Sequence, residues 1–144
     1  MNAAARGSRR LARRAALQAI YQWQATGQSA EEIGDQFEQE STYARLDAEF
    51  FRRLLNGVTG NVQILDEALE PFIDRPLSQI DPVERAVLRI AAFELTQCTD
   101  VPWRVVINES VELARAFGAE QGHRFVNGVL DRLAPAARGE TRAG

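Results

Sequence analysis

The sequence contains no lysine, one cysteine, one histidine, five prolines and ten glycines among its 144 residues. A lone cysteine, Cys98, cannot form an intramolecular disulfide, and together with His123 it cannot supply the four ligands of a usual Cys/His metal site. We therefore expect no metal, no other cofactor and a reducing, cytoplasmic compartment. The few prolines and glycines argue against a disordered or fibrous chain. The exclusive use of arginine is more simply a codon bias than a functional choice.

Long apolar runs and catalytic motifs are also missing. No apolar stretch approaches the roughly 20 residues that cross a bilayer, and the N-terminus lacks the apolar segment of a secretory signal. The sequence has no phosphate loop, no dinucleotide-binding glycine motif, no nucleophile elbow and no zinc-protease motif. Acids such as Glu109 and Glu112 are typical of a solvated helix face, and a lone histidine is more often structural or a phosphate contact. We therefore expect a protein that is not an enzyme.

The sequence does contain a succession of helical patterns. Apolar residues make up 45% of the chain, enough for one domain with a core. No segment makes a convincing strand, so we predict an all-α fold of about six to seven helices in two small helical-bundle subdomains. These span about residues 6–72 and 80–134 of a single domain, 1–144, and residues 135–144 are predicted to form a disordered tail.

Capping signals place two of the helices. Ser29 opens a capping box that begins a short helix, roughly 29–40. Asp81 is a good N-cap and Pro82 suits a first helical position, so a longer helix begins there. This second helix is apolar on most sides, which is typical of the middle of a bundle. Glu94 falls on its apolar stripe, and we expect it to be buried and paired with an arginine.

Apolar periodicity places the remaining helices. It predicts one long helix over 51–72, whose glycines permit a kink, and an amphipathic helix over 103–118. Asn127-Gly128 is a typical hairpin dipeptide, but the apolar pairs on either side of it do not alternate as a strand requires. We therefore predict a helix there too, with Gly128 permitting close packing.

The most unusual segment is the basic start of the chain. Residues 1–14 hold five arginines and no acid, whereas residues 31–49 hold seven acids and a single arginine. On a helix, the five lie within an arc of about 140°. They are Arg6, Arg9, Arg10, Arg13 and Arg14. Because Leu17, Ile20 and Tyr21 continue the same arc, we expect the N-terminal half of this helix to overhang its subdomain and to face a partner.

Three explanations of the basic face remain open: polyanion binding, an ordinary solvated surface and a mitochondrial-type presequence. Cations in a first helical turn oppose the helix dipole at roughly 0.3–1 kcal/mol per charge and repel one another. A solvated surface usually mixes charges of both signs, and here no acid precedes Glu31. We therefore favour a polyanion partner. Candidates for base recognition are Tyr21, Asn108, Gln121 and Phe125.

Three blocks of the sequence together resemble a known family. ARRAALQAIYQWQ, DPVERAVLRIAAFEL and DVPWRVVINESVELARAFGAEQGHRFVNGVLD are similar to the NusB family of bacterial transcription antitermination factors. The resemblance runs from about Arg9 to Leu133 in the family's order and spacing. The departures are mild. Ser110 stands where alanine is usual, and Gln121 stands where an acid often sits, beside the expected RNA surface.

The resemblance implies an all-helical fold, binding to the boxA sequence of nascent RNA and pairing with the ribosomal protein NusE. That pair would help RNA polymerase resist termination, notably on ribosomal RNA operons, alongside NusA and NusG. The RNA contacts that it implies are Arg9, Arg10, Arg13, Gln121, His123, Arg124 and Phe125, to which the helix-face argument adds Arg6 and Arg14. The positions that would face NusE are Tyr21 and Glu84. Phe125 also fits an apolar stripe, so a core position for it is equally open.

A second hypothesis keeps the fold and changes the function. The chain would then be a helical protein-interaction module or a self-associating homodimer, whose arginine face meets an acidic protein. A third is the NusB-like RNA-binding domain of some ribosomal RNA methyltransferases. Because the sequence to Gly144 leaves no room for a methyltransferase domain, we expect a standalone factor instead. Binding to boxA RNA with a steep salt dependence distinguishes the first hypothesis from the second.

Overall fold

The computed structural model describes residues 1–139, and the regular structure in that range is entirely helical. The α-helices are α1 (Ala3–Thr26), α2 (Ala30–Glu38), α3 (Ala48–Gly60), α4 (Val62–Leu69), α5 (Pro82–Gln97), α6 (Trp103–Phe117) and α7 (Gly122–Arg138). Short 3-10 helices lie at Ser41–Arg45, Glu70–Phe72 and Leu77–Gln79. The predicted all-α fold is confirmed. Within the described range, no helix is long and apolar enough to cross a membrane.

The chain divides into two compact units, but not where the sequence predicted. The first unit is Met1–Gly60 and the second begins at Asn61, whereas the predicted boundary lay between residues 72 and 80. The helix predicted over 51–72 is broken because Asn61 leaves helical geometry, with φ −129° and ψ 22°. Gly60 and Asn61 both form helices poorly. Apolar spacing did not reveal the break because a single non-helical residue leaves the three- and four-residue steps unchanged.

The first unit is a packing of α1 against α2 and α3. Fully buried alanines on α1, such as Ala12 and Ala16, permit a close approach of α3, whose Phe51 is also fully buried. The helix starts agree with the sequence where side chains cap them. Ser29 Oγ accepts from Glu32 N at 3.1 Å, so the predicted start of α2 is confirmed. At the start of α1, Asn2 Oδ1 accepts from Ala5 N at 2.8 Å.

The second unit is built around α5, which packs against α4, α6 and α7. Asp81 caps α5 by accepting from Val83 N at 2.9 Å, so the predicted start of this helix is confirmed. Ten of the sixteen residues of α5 are buried, which explains why its sequence is apolar on most sides. Glu94 is fully buried, as predicted.

The last helix, α7, is longer and differently packed than the sequence predicted. Asn127-Gly128 is helical, so the preference for helix over hairpin is confirmed. A Cβ at Gly128 would meet nothing within 4 Å, so that glycine is not a point of close packing.

The predicted tail needs correction over its first part. Pro135 and the residues up to Arg138 continue α7. Arg138 holds that end in place: its Nε donates to Leu95 O at 2.6 Å and its Nη2 to Val101 O at 2.9 Å. These bonds satisfy carbonyls at and just beyond the C-terminal end of α5, a contact that local sequence does not reveal. Residues 140–144 of the predicted tail lie outside the described residues.

Candidate nucleic-acid interface

The five arginines of α1 do not share one environment. Arg6, Arg10 and Arg14 are exposed, Arg9 is half-buried, and Arg13 is only 4% exposed. Arg6 Nη1 donates to Met1 O at 2.6 Å. Arg14 lines a cavity of about 180 Å³ in the first unit. The prediction of a uniformly outward arginine face is therefore wrong for Arg13 and holds only in part for Arg9.

The two inner arginines are packed against an aromatic ring of α3. Cζ of Arg9 lies 4.3 Å from the centroid of Phe50, and Cζ of Arg13 lies 5.0 Å from it. The face of an aromatic ring attracts a cation, which favours holding two guanidinium groups against it. Arg9 Nε also lies 3.7 Å from Asp47 Oδ2. Phe50 lies one position before the apolar stripe found in the sequence, so periodicity did not select it.

The helix α1 does not overhang its unit at these positions. Asp47 N donates to Ser8 O at 3.0 Å, which ties the second turn of α1 to the segment before α3. The expectation that the N-terminal half of α1 extends beyond its unit is therefore wrong. The helix is packed against its neighbours at least as far toward its N-terminus as Ser8. The helix therefore presents outward arginines on a surface that packed neighbours hold rigid.

The C-terminal half of α1 carries the candidate partner residue Tyr21. Leu17 and Ile20 are buried, at 3% and 0% exposure, whereas Tyr21 is 44% exposed. The predicted apolar stripe therefore packs as expected up to Ile20, and the tyrosine ring lies at its outer margin. A half-exposed tyrosine offers both an apolar ring and a hydroxyl to a partner.

The second group of predicted residues lies at the turn between α6 and α7. Gln121 has a left-handed backbone, with φ 69°, and is exposed. His123 is half-buried and Arg124 is exposed in the first turn of α7. Phe125 is half-buried, so it is neither a full core residue nor an open ring. Cζ of Arg75 lies 4.7 Å from its ring centroid.

Arg75 is a residue that sequence reasoning missed. It lies between two 3-10 helices, in a segment with no apolar period and no recognisable motif. Nothing in its local sequence distinguishes it from an ordinary surface arginine. The contact with Phe125 joins positions 50 residues apart, which only the packing of the second unit can bring together.

Glu84, predicted to face a partner, is 5% exposed. Its Oε2 accepts from Ala119 N at 3.3 Å, in the turn that carries Gln121. A Cβ added at Gly122 would lie 2.3 Å from the same oxygen, so the carboxylate fills the space beside the first residue of α7. Burial, followed by the charge of Asp81, raises the pKa of Glu84. The structure thus places Glu84 inside the second unit, where its carboxylate holds the α6–α7 turn.

Asn108, the remaining amide candidate, is exposed on α6. The site residues therefore form two groups, one in each unit. In the first, Arg9 and Arg13 of α1 pack against Phe50, and Arg6, Arg10 and Arg14 are exposed on the same helix. In the second, the α6–α7 turn and the start of α7 lie beside Glu84 and Arg75. Among residues 1–139, no group of three or more His, Cys, Asp or Glu side chains is placed to hold a metal ion.

The fold is that of a small all-α protein of two helical units. In each unit, arginine packs on a phenylalanine ring among the candidate site residues. The family model described as the NusB family matches residues 10–135. The chain therefore belongs to the NusB family, which confirms the resemblance seen in the sequence. Because this is a family of transcription antitermination factors, the expectation that the chain is not an enzyme is also confirmed.

Curated relatives match most of the chain. The Transcription antitermination protein NusB of Idiomarina loihiensis is 53% identical over 125 residues, covering 87% of this chain and 90% of the relative. The protein of the same name from Pseudomonas entomophila is 51% identical over 136 residues, covering 94% of this chain and 82% of the relative. Both alignments span the two units described above.

Solved structures share the fold. T. maritima NusB superposes with a TM-score of 0.81 at 31% identity, covering 94% of this chain and 97% of that one. A chain from a crystal structure of antitermination factors NusB and NusE in complex with dsRNA superposes with a TM-score of 0.75. At 23% identity, and covering 90% of this chain and 97% of that one, this second likeness shows the fold alone.

Proposed function

We propose that this protein binds the boxA sequence of nascent ribosomal RNA together with NusE and helps RNA polymerase resist termination, alongside NusA and NusG. It would act in the cytoplasm, where nascent transcripts are made. The observation that carries the proposal is α1, a helix of 24 residues without an acid, on which Arg10 and Arg14 are exposed. Positive charge on a rigid helix is suited to the phosphates of a nucleic acid.

The energetic cost of these arginines supports a polyanion partner over a solvated surface. Asn2 caps α1, but no acid in its first turn offsets the arginines that follow. Only Arg6 lies in the first turn, where a cation opposes the helix dipole at roughly 0.3–1 kcal/mol. The other arginines repel one another because they are spaced three or four residues apart, and of these Arg9 has a nearby acid in Asp47. Bound phosphates would remove that repulsion. The relatives of more than half identity are named transcription antitermination proteins, which favours a nascent transcript as the polyanion.

The structure divides the proposed contacts by accessibility. The direct phosphate contacts are Arg6, Arg10 and Arg14, while Arg9 and Arg13 contribute their charge from beside Phe50. In the second unit the proposed contacts are Gln121, His123, Arg124 and Phe125. Tyr21 is the proposed direct contact with NusE. Glu84 would serve that contact indirectly, because its carboxylate is buried and holds the α6–α7 turn.

The test is a titration of boxA RNA, with and without NusE, at several salt concentrations. Arg10→Ala and Arg14→Ala are each expected to weaken binding several-fold and to lower the salt slope by about 0.7, the value for one phosphate contact on a single strand. Arg115→Ala is the matched control, since Arg115 is exposed on α6 and paired with Glu112. It is expected to leave affinity and slope unchanged.

The outcome also separates this proposal from its alternative. Equal affinity for a scrambled RNA, or no binding even with NusE present, would contradict specific boxA recognition and favour the protein-interaction module. Self-association stays a prediction of that alternative, and sedimentation of the free protein would detect a homodimer.

A further inference from the structure

Arg75 stacks on Phe125, but it is not among the RNA contacts proposed above. The guanidinium carbon lies 4.7 Å from the ring centroid, so the guanidinium covers part of the half-buried ring. A base approaching this side of Phe125 would meet the Arg75 guanidinium first. Arginine guanidinium planes are themselves surfaces on which RNA bases stack.

The ion pair of Arg75 with Asp74 does not restrain the arginine strongly. Arg75 Nη1 lies 2.6 Å from Asp74 Oδ1, in a pair whose side chains are 38% and 77% exposed. Exposed ion pairs contribute little because water and salt screen them. The charge of the Glu84 carboxylate attracts the guanidinium as well, so the side chain is oriented by that charge and by the ring beneath it, and its exposed part is open to solvent.

Arg75 also lines a cavity of about 550 Å³ in the second unit. Ile73, Pro76 and Leu77 supply apolar wall, and Asp66 and Glu70 supply carboxylates. Asp66 is held in place by Arg89, whose Nε and Nη2 lie 2.9 and 2.8 Å from its two oxygens. The volume accommodates a nucleobase, and the lining combines apolar surface with acceptor groups.

We propose that Arg75 is the outer layer of a stacking platform on Phe125 and that one base of the bound RNA stacks on its guanidinium, inside this cavity. This inference rests on the proposed RNA binding. The ligand is a base and not a phosphate, because Arg75 already pairs with Asp74 and the rest of the cavity lining offers apolar wall and carboxylates instead of further cations. Their carboxylates can accept from an exocyclic amino group, so a cytosine or adenine fits better than a uracil.

The test measures boxA RNA binding by three variants. Arg75→Ala is expected to weaken binding about tenfold, in line with the loss of one stacked base. Arg75→Lys keeps the charge without the planar group, so most of that loss should remain while the salt slope stays that of the wild type. Arg115→Ala, which removes an exposed arginine paired with an acid elsewhere in the same unit, is the control and should bind as the wild type does.

A spectroscopic measurement separates stacking from a general structural effect. Each boxA position in turn is replaced by 2-aminopurine, whose fluorescence falls when it stacks. One position should be quenched by the wild type and released by Arg75→Ala, while the circular dichroism melting curve of the variant stays close to that of the wild type. On a Phe125→Leu background, which retains apolar volume, Arg75→Ala should cost less than it does alone, because the two side chains form one platform.

The outcomes distinguish the two proposals. Failure of the wild type to bind boxA RNA would overturn the proposed function. Binding by the wild type, together with unchanged or tighter binding by Arg75→Ala, would overturn the stacking role alone. Full binding by Arg75→Lys would also overturn it, because charge without a plane would then be sufficient.

Discussion

At the scale of single residues, Glu84 shows how a buried carboxylate can organise a turn. The residue before α7, Gln121, makes no side-chain capping bond, so α7 begins without a local N-cap. The carboxylate of Glu84 lies beside Gly122, the first residue of that helix, and accepts from Ala119 N. Negative charge at a helix N-terminus is favourable, which compensates in part for the burial of the acid.

The raised pKa of Glu84 predicts a pH-dependent stability. Below the unfolded-state value, near 4.5, both states are protonated and the shift contributes its full stability. As the pH rises above that value the folded state must ionise a buried acid, so this contribution is lost. Relative to Glu84→Gln, the wild type should therefore lose free energy of unfolding as the pH rises from 4 to 8. Urea denaturation of both proteins measures it, and parallel pH profiles would contradict it.

Two glycines of α7 predict opposite effects of the same substitution. Gly122→Ala places a Cβ 2.3 Å from Glu84 Oε2, so it should destabilise the protein by roughly 1–3 kcal/mol. Gly128→Ala meets nothing within 4 Å and should stabilise the helix by about 0.5–1 kcal/mol. Thermal unfolding of the two variants tests the pair. In a Glu84→Ala background the cost of Gly122→Ala should fall, and an unchanged cost there would show that the carboxylate is not the obstacle.

At the scale of elements, the end of α7 and the end of α5 stabilise each other. The guanidinium of Arg138 donates to the carbonyls of Glu94, Leu95, Cys98 and Val101. The last carbonyls of a helix have no partner within it, so a neighbouring cation with several donors is well suited to them. The same bonds hold the last turn of α7, beyond Pro135, against the end of α5.

Arg138→Ala is accordingly expected to destabilise the protein by roughly 1–3 kcal/mol, because carbonyls at a half-buried site lose a charged donor. Arg138→Lys should recover only part of the loss, since one ammonium group cannot reproduce the fork of the guanidinium. Arg115→Ala, at an exposed position, should change stability by less than about 0.5 kcal/mol. Equal melting temperatures for the two alanine variants would refute the role given to Arg138.

At the scale of the whole molecule, the net charge of −3 conceals where the charges lie. Several acids of the segment 31–49 are engaged by arginines of the first unit. Asp35 and Glu38 lie 3.2 and 3.4 Å from Nη2 of Arg52, and Asp47 lies beside Arg9. The acid-rich segment is thus partly neutralised within its own unit. The distribution of charge on α1, and not the total, is the property that bears on RNA binding.

The sequence by itself determined the helical class, the starts of α2 and α5, the helical state of Asn127-Gly128 and membership of the family. The helix starts depend on interactions within one turn, such as the bond from Glu32 N to Ser29 and the bonds that Asp81 accepts, and family membership depends on sequence blocks in a fixed order. Local hydrogen bonds and apolar spacing involve residues close together in the sequence, so they can be inferred before the tertiary structure is known.

Only the tertiary structure decided what the individual site residues do. Arg13 is buried because Phe50 of another helix lies against it, and Glu84 is buried against Ala119, 35 positions away. Arg75 likewise lies against Phe125, which is 50 positions away in the sequence. Whether a side chain is buried, and which residue it contacts, depends on packing between segments that are distant in the sequence. A charged residue has the same neighbours in the sequence whether it is buried or exposed. The residues that would meet RNA could therefore be nominated from the sequence, but their exposure could not.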